Sequence, residues 1–262
     1  MTERHFFPSP EGEGLQVTDQ KVMLITGGSG SIGAAVAREA ASQGWTVIVQ
    51  GRSADKVTGL VSELLKSVPA EGIVCDMWAD DAAASIVADA AAKFGRIDAV
   101  VDCISTGRGK ITGYFPDTDP ADFSTFYDLS AAWFQRLAHA AYPHLKARGG
   151  TLIAFASDAG KFAARRQTII GAARAAVMGF VRNLAVESAR DGIRVHCISP
   201  SYVTGSDSAA KMGSSRMAKA DDRAGLGLPS AEDIAPLTVF LCGPGAAKIT
   251  GQVISVNGGL NA

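Results

Sequence analysis

The sequence predicts one α/β domain built on a doubly wound parallel sheet of about seven strands flanked by helices. Three observations predict it. From Lys21 onward, short apolar runs rich in β-branched residues alternate with Ala-rich stretches of helical period, the pattern of βαβ units. A glycine-rich turn, TGGSGSIG at 26–33, separates the first such run from the first helical stretch. The length of 262 residues fits a single large α/β domain, and neither an internal repeat nor a linker divides the chain.

Taken in order, residues 1–20 are rich in Pro, Gly and Glu and read as a flexible leader or partner-binding arm. The domain, 21–262, has expected strands near 21–26, 45–50, 72–75, 97–103, 150–156, 193–198 and 252–256. Helices are expected at about 31–43, 54–67, 80–94, 120–147 and 168–191. Residues 206–227 are polar, Gly-containing and short of β-branched side chains, so they read as a lid over a cleft rather than a core helix.

Composition narrows the function classes. With 47% hydrophobic and 19% charged residues the chain can bury a large core, which excludes general disorder. Its 25 basic and 26 acidic side chains leave a formal charge of -1, so no overall field recruits nucleic acid or an anionic bilayer, and neither is expected as a partner. Cys75, Cys103, Cys197 and Cys242 lack C-x-x-C pairing and read as buried thiols of a reducing compartment. No run approaches the ~18 apolar residues of a membrane span and the start lacks a signal peptide's apolar core, so a cytoplasmic location is expected. His139 and His144 are five apart, off a shared helix face, and His5 and His196 are remote, so no metal site is expected.

The glycine-rich turn is where chemistry enters. VMLIT before it and AAVAREAAS after it supply the strand and helix that make such a motif meaningful in a Rossmann-type fold. The glycines let the backbone approach a pyrophosphate, whose charge is favoured by amides at the helix start. Thr26, Gly27, Ser29, Gly30, Ser31, Ile32 and Gly33 are the candidate dinucleotide-binding residues.

From here the chain resembles the short-chain dehydrogenase/reductase family, whose members of this length carry TGxxxGxG. Thr26, Gly27 and Gly33 match, while Ser31 stands where the middle glycine belongs and Gly30 offers a neighbouring one. The resemblance extends to LGLPSAEDIAPLTVFLCGPGAAKITGQVISVNGG, with Asn257 in place of the family's Asp, and to IRVHCISPSYVTG at 193–205. It implies a nicotinamide cofactor. After the second strand, Gly51 takes the place of the acidic residue that would repel a 2′-phosphate and Arg52 follows it, favouring NADP over NAD if either is bound. A solvated Arg52 is the plainer alternative. Asp76, in VCDM, matches the family's adenine-contacting aspartate, although a helix cap would use the same residue.

The family's catalytic set is damaged. LIAFASDAG matches the fifth strand and its serine, so Ser157 is retained. Thirteen residues on, the proton-transferring tyrosine is Ile170, and four further the lysine is Arg174, in a register fixed by AARAAVMGFVRNLAVESARDGIRV. Asp128 replaces the asparagine, and DCIS, Asp102 to Ser105, replaces NNAG. Isoleucine exchanges no proton, and arginine's high pKa forbids ordinary proton transfer although it can still hold a ribose. Tyr202 is a substitute phenol or a packing residue. Arg108, Lys110, Lys161, Arg165 and Arg166 flank the family's substrate cleft, as holders of an acyl-CoA or other phosphate-bearing ligand or as a solvated rim.

The expectation is a dinucleotide-binding protein without activity of its own, supporting a catalytic paralogue in an oligomer. An oxidoreductase with an atypical proton donor and a ligand sensor are the alternatives. Alanines 131, 132, 138, 140, 141, 172, 173, 175 and 176 would let the two long helices pack closely between subunits.

Overall fold

The computed structural model describes residues 5–6, 20–79, 81–104 and 110–261. Seven parallel strands form the sheet: β2 (Val22–Thr26), β3 (Thr46–Gly51), β4 (Ala70–Val74), β5 (Ala99–Asp102), β6 (Gly150–Phe155), β7 (Ile193–Pro200) and β8 (Val253–Val256). A two-residue strand, β1 (His5–Phe6), adds an antiparallel pairing to β4 at the edge, from within the segment read as a leader. The order is β1-β4-β3-β2-β5-β6-β7-β8, so the winding reverses between β2 and β5.

Alternation along each strand fills both faces. On β2, Met23 and Ile25 join a core with α1 (Ser31–Ser42), α2 (Ala54–Leu64) and α9 (Ala231–Cys242). Val22 and Leu24 point the other way, into a core with α3 (Ala82–Phe94), α5 (Trp133–Lys146) and α6 (Thr168–Ser188). Each fully buried aliphatic side chain contributes on the order of 1.5–3 kcal/mol, so strands apolar on both sides are the natural centre of such a sandwich. The α6 helix and its following turn are long and apolar enough to cross a membrane. Here the helix lies on β7 instead, burying Val177, Met178, Val181 and Ala185 in the second core.

Three elements depart from the sequence reading. The helix expected at 120–147 is broken into a 3-10 turn at Pro120–Asp122, α4 (Phe123–Tyr127), a π-helical turn at Asp128–Ala132, and α5. A π turn accommodates one extra residue per turn, which hydrophobic period does not announce. The second departure is α9, for which no helix was assigned. Ser230 and Asp233 form a reciprocal capping box at its start, and Ser-Ala-Glu-Asp before an apolar run was the readable signal. Third, 206–227, where no helix was placed, contains two short ones, α7 (Asp207–Ala210) and α8 (Ser214–Asp221). Ala220 and Ala224 dock there on Leu260, with Tyr202 and Leu228 packed against them.

Candidate functional site

In open α/β sheets ligands bind outside the carboxyl ends of strands where the winding reverses. Here that crevice lies between the ends of β2 and β5, where Thr26 and Asp102 are register partners. The Thr26 hydroxyl donates to Asp102 Oδ1 at 2.7 Å, and the Trp133 indole N–H donates to the same oxygen at 3.1 Å. Burial pushes the Asp102 carboxyl above its ordinary range, outweighing these hydrogen bonds, a third from the Ile104 amide, and the nearby Arg174 charge.

The loop after β2 is shaped for a pyrophosphate. Gly27 sits at φ 65°, and a Cβ there would come within 2.8 Å of the Cys103 backbone. A Cβ on Gly33 would lie 2.5 Å from the Gly27 carbonyl oxygen, so only glycine lets α1 start this close to the loop. Gly30 is the N-cap and supplies no side-chain cap, while the Ala34 amide makes the first helical bond back to Gly30. Ser31, Ile32 and Gly33 are the first three residues of α1, whose amides have no intrahelical acceptor and face the crevice end of the sheet. The uncapped start and the glycine-walled cradle fit a dinucleotide pyrophosphate. Gln50 was missed in the sequence: its Oε1 accepts from the Gly27 amide at 3.0 Å and its Nε2 donates to the Cys75 carbonyl at 2.7 Å, tying the loop to β3 and β4.

At the adenosine end, Gly51 is buried, and a Cβ there would lie 2.3 Å from Ser29 Oγ. Any acidic side chain at that position would displace Ser29. Arg52 is exposed and makes no hydrogen bond or ion pair among the described residues. Asp76 is half-buried, and its Oδ1 accepts from the Trp78 amide at 3.2 Å, a turn-capping role that leaves the second oxygen for a ligand.

The catalytic end is assembled but altered. Ser157 caps a 3-10 turn, its Oγ accepting from the Ala159 amide at 3.3 Å. A Cβ on Gly160 would lie 2.7 Å from the backbone of Arg174 and Ala175, so the segment after Ser157 rests directly on α6 at the lysine position. Arg174 Nη1 donates to the Phe155 carbonyl at 3.2 Å, and its guanidinium lies 6.0 Å over the Phe126 ring. Burial pushes this guanidinium below its usual value, against the pull of Asp102. Ile170 packs with Phe123 against the apolar cluster of Ile111, Phe126, Ile169 and Ala173. Asp128 opens the π turn and is engaged by Arg136 at 2.9 Å on the exposed side of the helix.

The remaining candidates scatter. Lys161 Nζ donates to Ser255 Oγ at 3.1 Å, and Tyr202 packs against Ala220, Ala224 and Leu260. Arg165 and Arg166 lie 5.2 and 5.5 Å over the Tyr114 ring. Arg108 and Ser105 fall outside the described residues. A second missed residue is Asp158, a buried carboxylate that accepts from Ser199 Oγ at 2.9 Å, Ser255 Oγ at 2.8 Å and Asn257 Nδ2 at 2.5 Å. It fastens the ends of β7 and β8 to the Ser157 turn, and the amide at 257 is its complementary partner.

The model of the family described as enoyl-(acyl carrier protein) reductase matches residues 27–261. The chain belongs to the short-chain dehydrogenase/reductase family. The short-chain reductase protein NovJ of Streptomyces niveus is 31% identical over 94% of this chain and 95% of its own length. The 7alpha-hydroxysteroid dehydrogenase of Escherichia coli strain K12 is 28% identical over 92% of this chain and 94% of its own. A solved 7α-hydroxysteroid dehydrogenase, complexed with NADH and 7-oxo glycochenodeoxycholic acid, superposes with a TM-score of 0.86 at 27% identity, covering 92% of this chain and 94% of that one. A short-chain dehydrogenase/reductase from Mycobacterium ulcerans gives 0.83 at 26% identity, covering 92% and 89%. The family assignment carries fold and cofactor class; the chemistry of this member has to be argued from its own cleft.

Proposed function

We propose that this chain binds a nicotinamide dinucleotide, NADP(H) in preference to NAD(H), and acts as a catalytically silent subunit beside an active family paralogue in an oligomer. A single observation carries the reading: the position from which the family delivers a proton is Ile170, an aliphatic side chain partly buried against an apolar cluster. The dinucleotide, when bound, supplies or accepts the hydride. This chain's residues then hold it: the amides of Ser31, Ile32 and Gly33 at the pyrophosphate, Arg52 at a 2′-phosphate, Asp76 toward the adenine and Arg174 toward the nicotinamide ribose. None of Ile170, Arg174 or Asp128 can exchange a proton with a substrate oxygen in the manner of a phenol held by a lysine.

For assembly, Ala172, Ala175 and Ala176 of α6 are exposed and open to a partner helix, whereas Ala131, Ala138, Ala141 and Ala173 are buried within the chain. Val186, 80% exposed on the same helix, supports an interface there. The purified chain is expected to show no nicotinamide-dependent turnover on ketone, alcohol and acyl-thioester panels. Restoring Ile170→Tyr with Arg174→Lys is expected to recover traces of turnover, and the untagged paralogue is expected to co-purify with the wild-type chain. Robust turnover by the unaltered chain, abolished by Ser157→Ala, refutes the silent-subunit reading and favours an active oxidoreductase with an atypical donor. That second reading draws on the retained Ser157 and on relatives named as reductases and dehydrogenases.

A further inference from the structure

The opposite edge of the sheet holds a cavity of about 300 Å³, at the amino ends of the strands and away from the dinucleotide crevice. Its walls are the residues that enter the strands: Lys21 before β2, Arg96 and Asp98 before β5, Arg148 and Thr151 at the start of β6, and Arg194 on β7. We infer that this cavity is a second anion site, for a small phosphate-bearing molecule, separate from the cofactor site.

Charge is the first support. Four cations line the cavity against one carboxylate. That carboxylate is already used: Asp98 Oδ2 accepts from the Val22 amide and from Arg96 Nε, both at 2.8 Å, and Oδ1 accepts from Arg96 Nη2 at 2.7 Å. Arg194 is held by neutral groups only, the carbonyls of Leu241, Cys242 and Ala246 at the end of α9, so its charge is not cancelled. Lys21 lies 5.6 Å over the Trp45 ring, which orients its ammonium without neutralising it. Arg148 is exposed and its side chain makes no hydrogen bond or ion pair among the described residues.

The second support is independent of charge. Thr151 is fully buried, lines the cavity, and its Oγ1 has no hydrogen-bond partner among the described residues. An unsatisfied buried hydroxyl costs on the order of 1–3 kcal/mol, and a phosphate oxygen seated in the cavity would satisfy it. Gly149, Gly150 and Gly192, with Trp45 and Cys242, complete the lining. The volume stands at the lower end of the roughly 300–1,000 Å³ typical of small-molecule sites, which suits a phosphate ester and excludes a polymer.

Calorimetry of the full chain with inorganic phosphate and inorganic pyrophosphate tests the site. Beyond binding at the dinucleotide cradle, one further site is expected, at least tenfold weaker in Arg148→Ala and about threefold weaker in the near-isosteric Thr151→Val, and unchanged in Arg52→Ala at the other end of the strands. Arg148 is exposed and held by nothing, so its removal leaves the fold intact. Binding that is indifferent to both Arg148→Ala and Thr151→Val overturns the inference and assigns the anion to the dinucleotide cradle. Absence of binding at millimolar concentration overturns it as well. Neither result touches the silent-subunit reading, which rests on turnover.

Discussion

The dinucleotide cradle and the proton-transfer cleft sit on the same crevice, yet one keeps the family's pattern and the other departs from it. At the cradle, function is backbone geometry: Gly27 and Gly33 leave no room for a Cβ, and Gln50 pins the loop from two sides. At the cleft the pattern is one of side-chain identity, and here Ile170 packs against an apolar cluster and Arg174 donates to the Phe155 carbonyl. Side chains at the cleft can therefore change without loss of fold, since isoleucine packs against the cluster around Phe126. The cradle has no such tolerance, because its glycines serve packing and binding at once.

The largest effect should come from breaking the cradle. Gly33→Val forces a side chain into the Gly27 carbonyl and is expected to abolish dinucleotide binding by calorimetry and to destabilise the chain by roughly 2 kcal/mol or more in urea unfolding. Ile170→Ala, at the cleft, should leave dinucleotide affinity within about twofold. Equal losses in the two variants would erase the distinction between the regions.

Next in size is cofactor choice. Arg52→Ala should weaken NADP(H) about tenfold, about 1.4 kcal/mol, with little change for NAD(H), because only the 2′-phosphate offers the guanidinium a partner. Parallel titrations with both cofactors check it, and an unchanged ratio removes Arg52 from the site.

A smaller effect concerns Asp102, which links the two regions through Thr26 and Trp133. Its folded-state pKa is raised above the ordinary value of 3.8, so the folded chain holds more protons than the unfolded one just above that pH. Stability from this group is therefore full at low pH and declines as pH rises through the folded pKa. Asp102→Asn should flatten that part of the pH–stability curve in chemical unfolding, with Oδ1 still able to accept from Thr26 and Trp133. A steeper decline would mean that ionised Asp102 is stabilised by Arg174 more than burial penalises it.

The smallest structural perturbation tests assembly. Ala176→Arg places a charge on the exposed face of α6 and should lower the mass seen by light scattering without shifting the unfolding midpoint by more than a few degrees. A wild-type monomer at micromolar concentration, with no co-purifying partner, contradicts the subunit reading and strengthens a ligand-sensing one.

Sequence by itself determined the winding of the sheet, the phosphate loop and the damaged positions. These are encoded locally, by strand runs that end at glycines and by a fixed spacing from Ser157 to Ile170 and Arg174. The capping box of α9 was equally local and readable, from Ser230 to Asp233. Only the tertiary structure decided the rest. The π turn at Asp128 packs on α6 and has no period of its own in the sequence. Asp158 is 41 residues from Ser199, 97 from Ser255 and 99 from Asn257, so a buried carboxylate and its three donors meet only once β7 and β8 lie side by side. The cationic cavity is of the same kind: Lys21, Arg96, Arg148 and Arg194 are each an ordinary surface charge in the chain, and parallel strands gather them because every strand begins at the same edge.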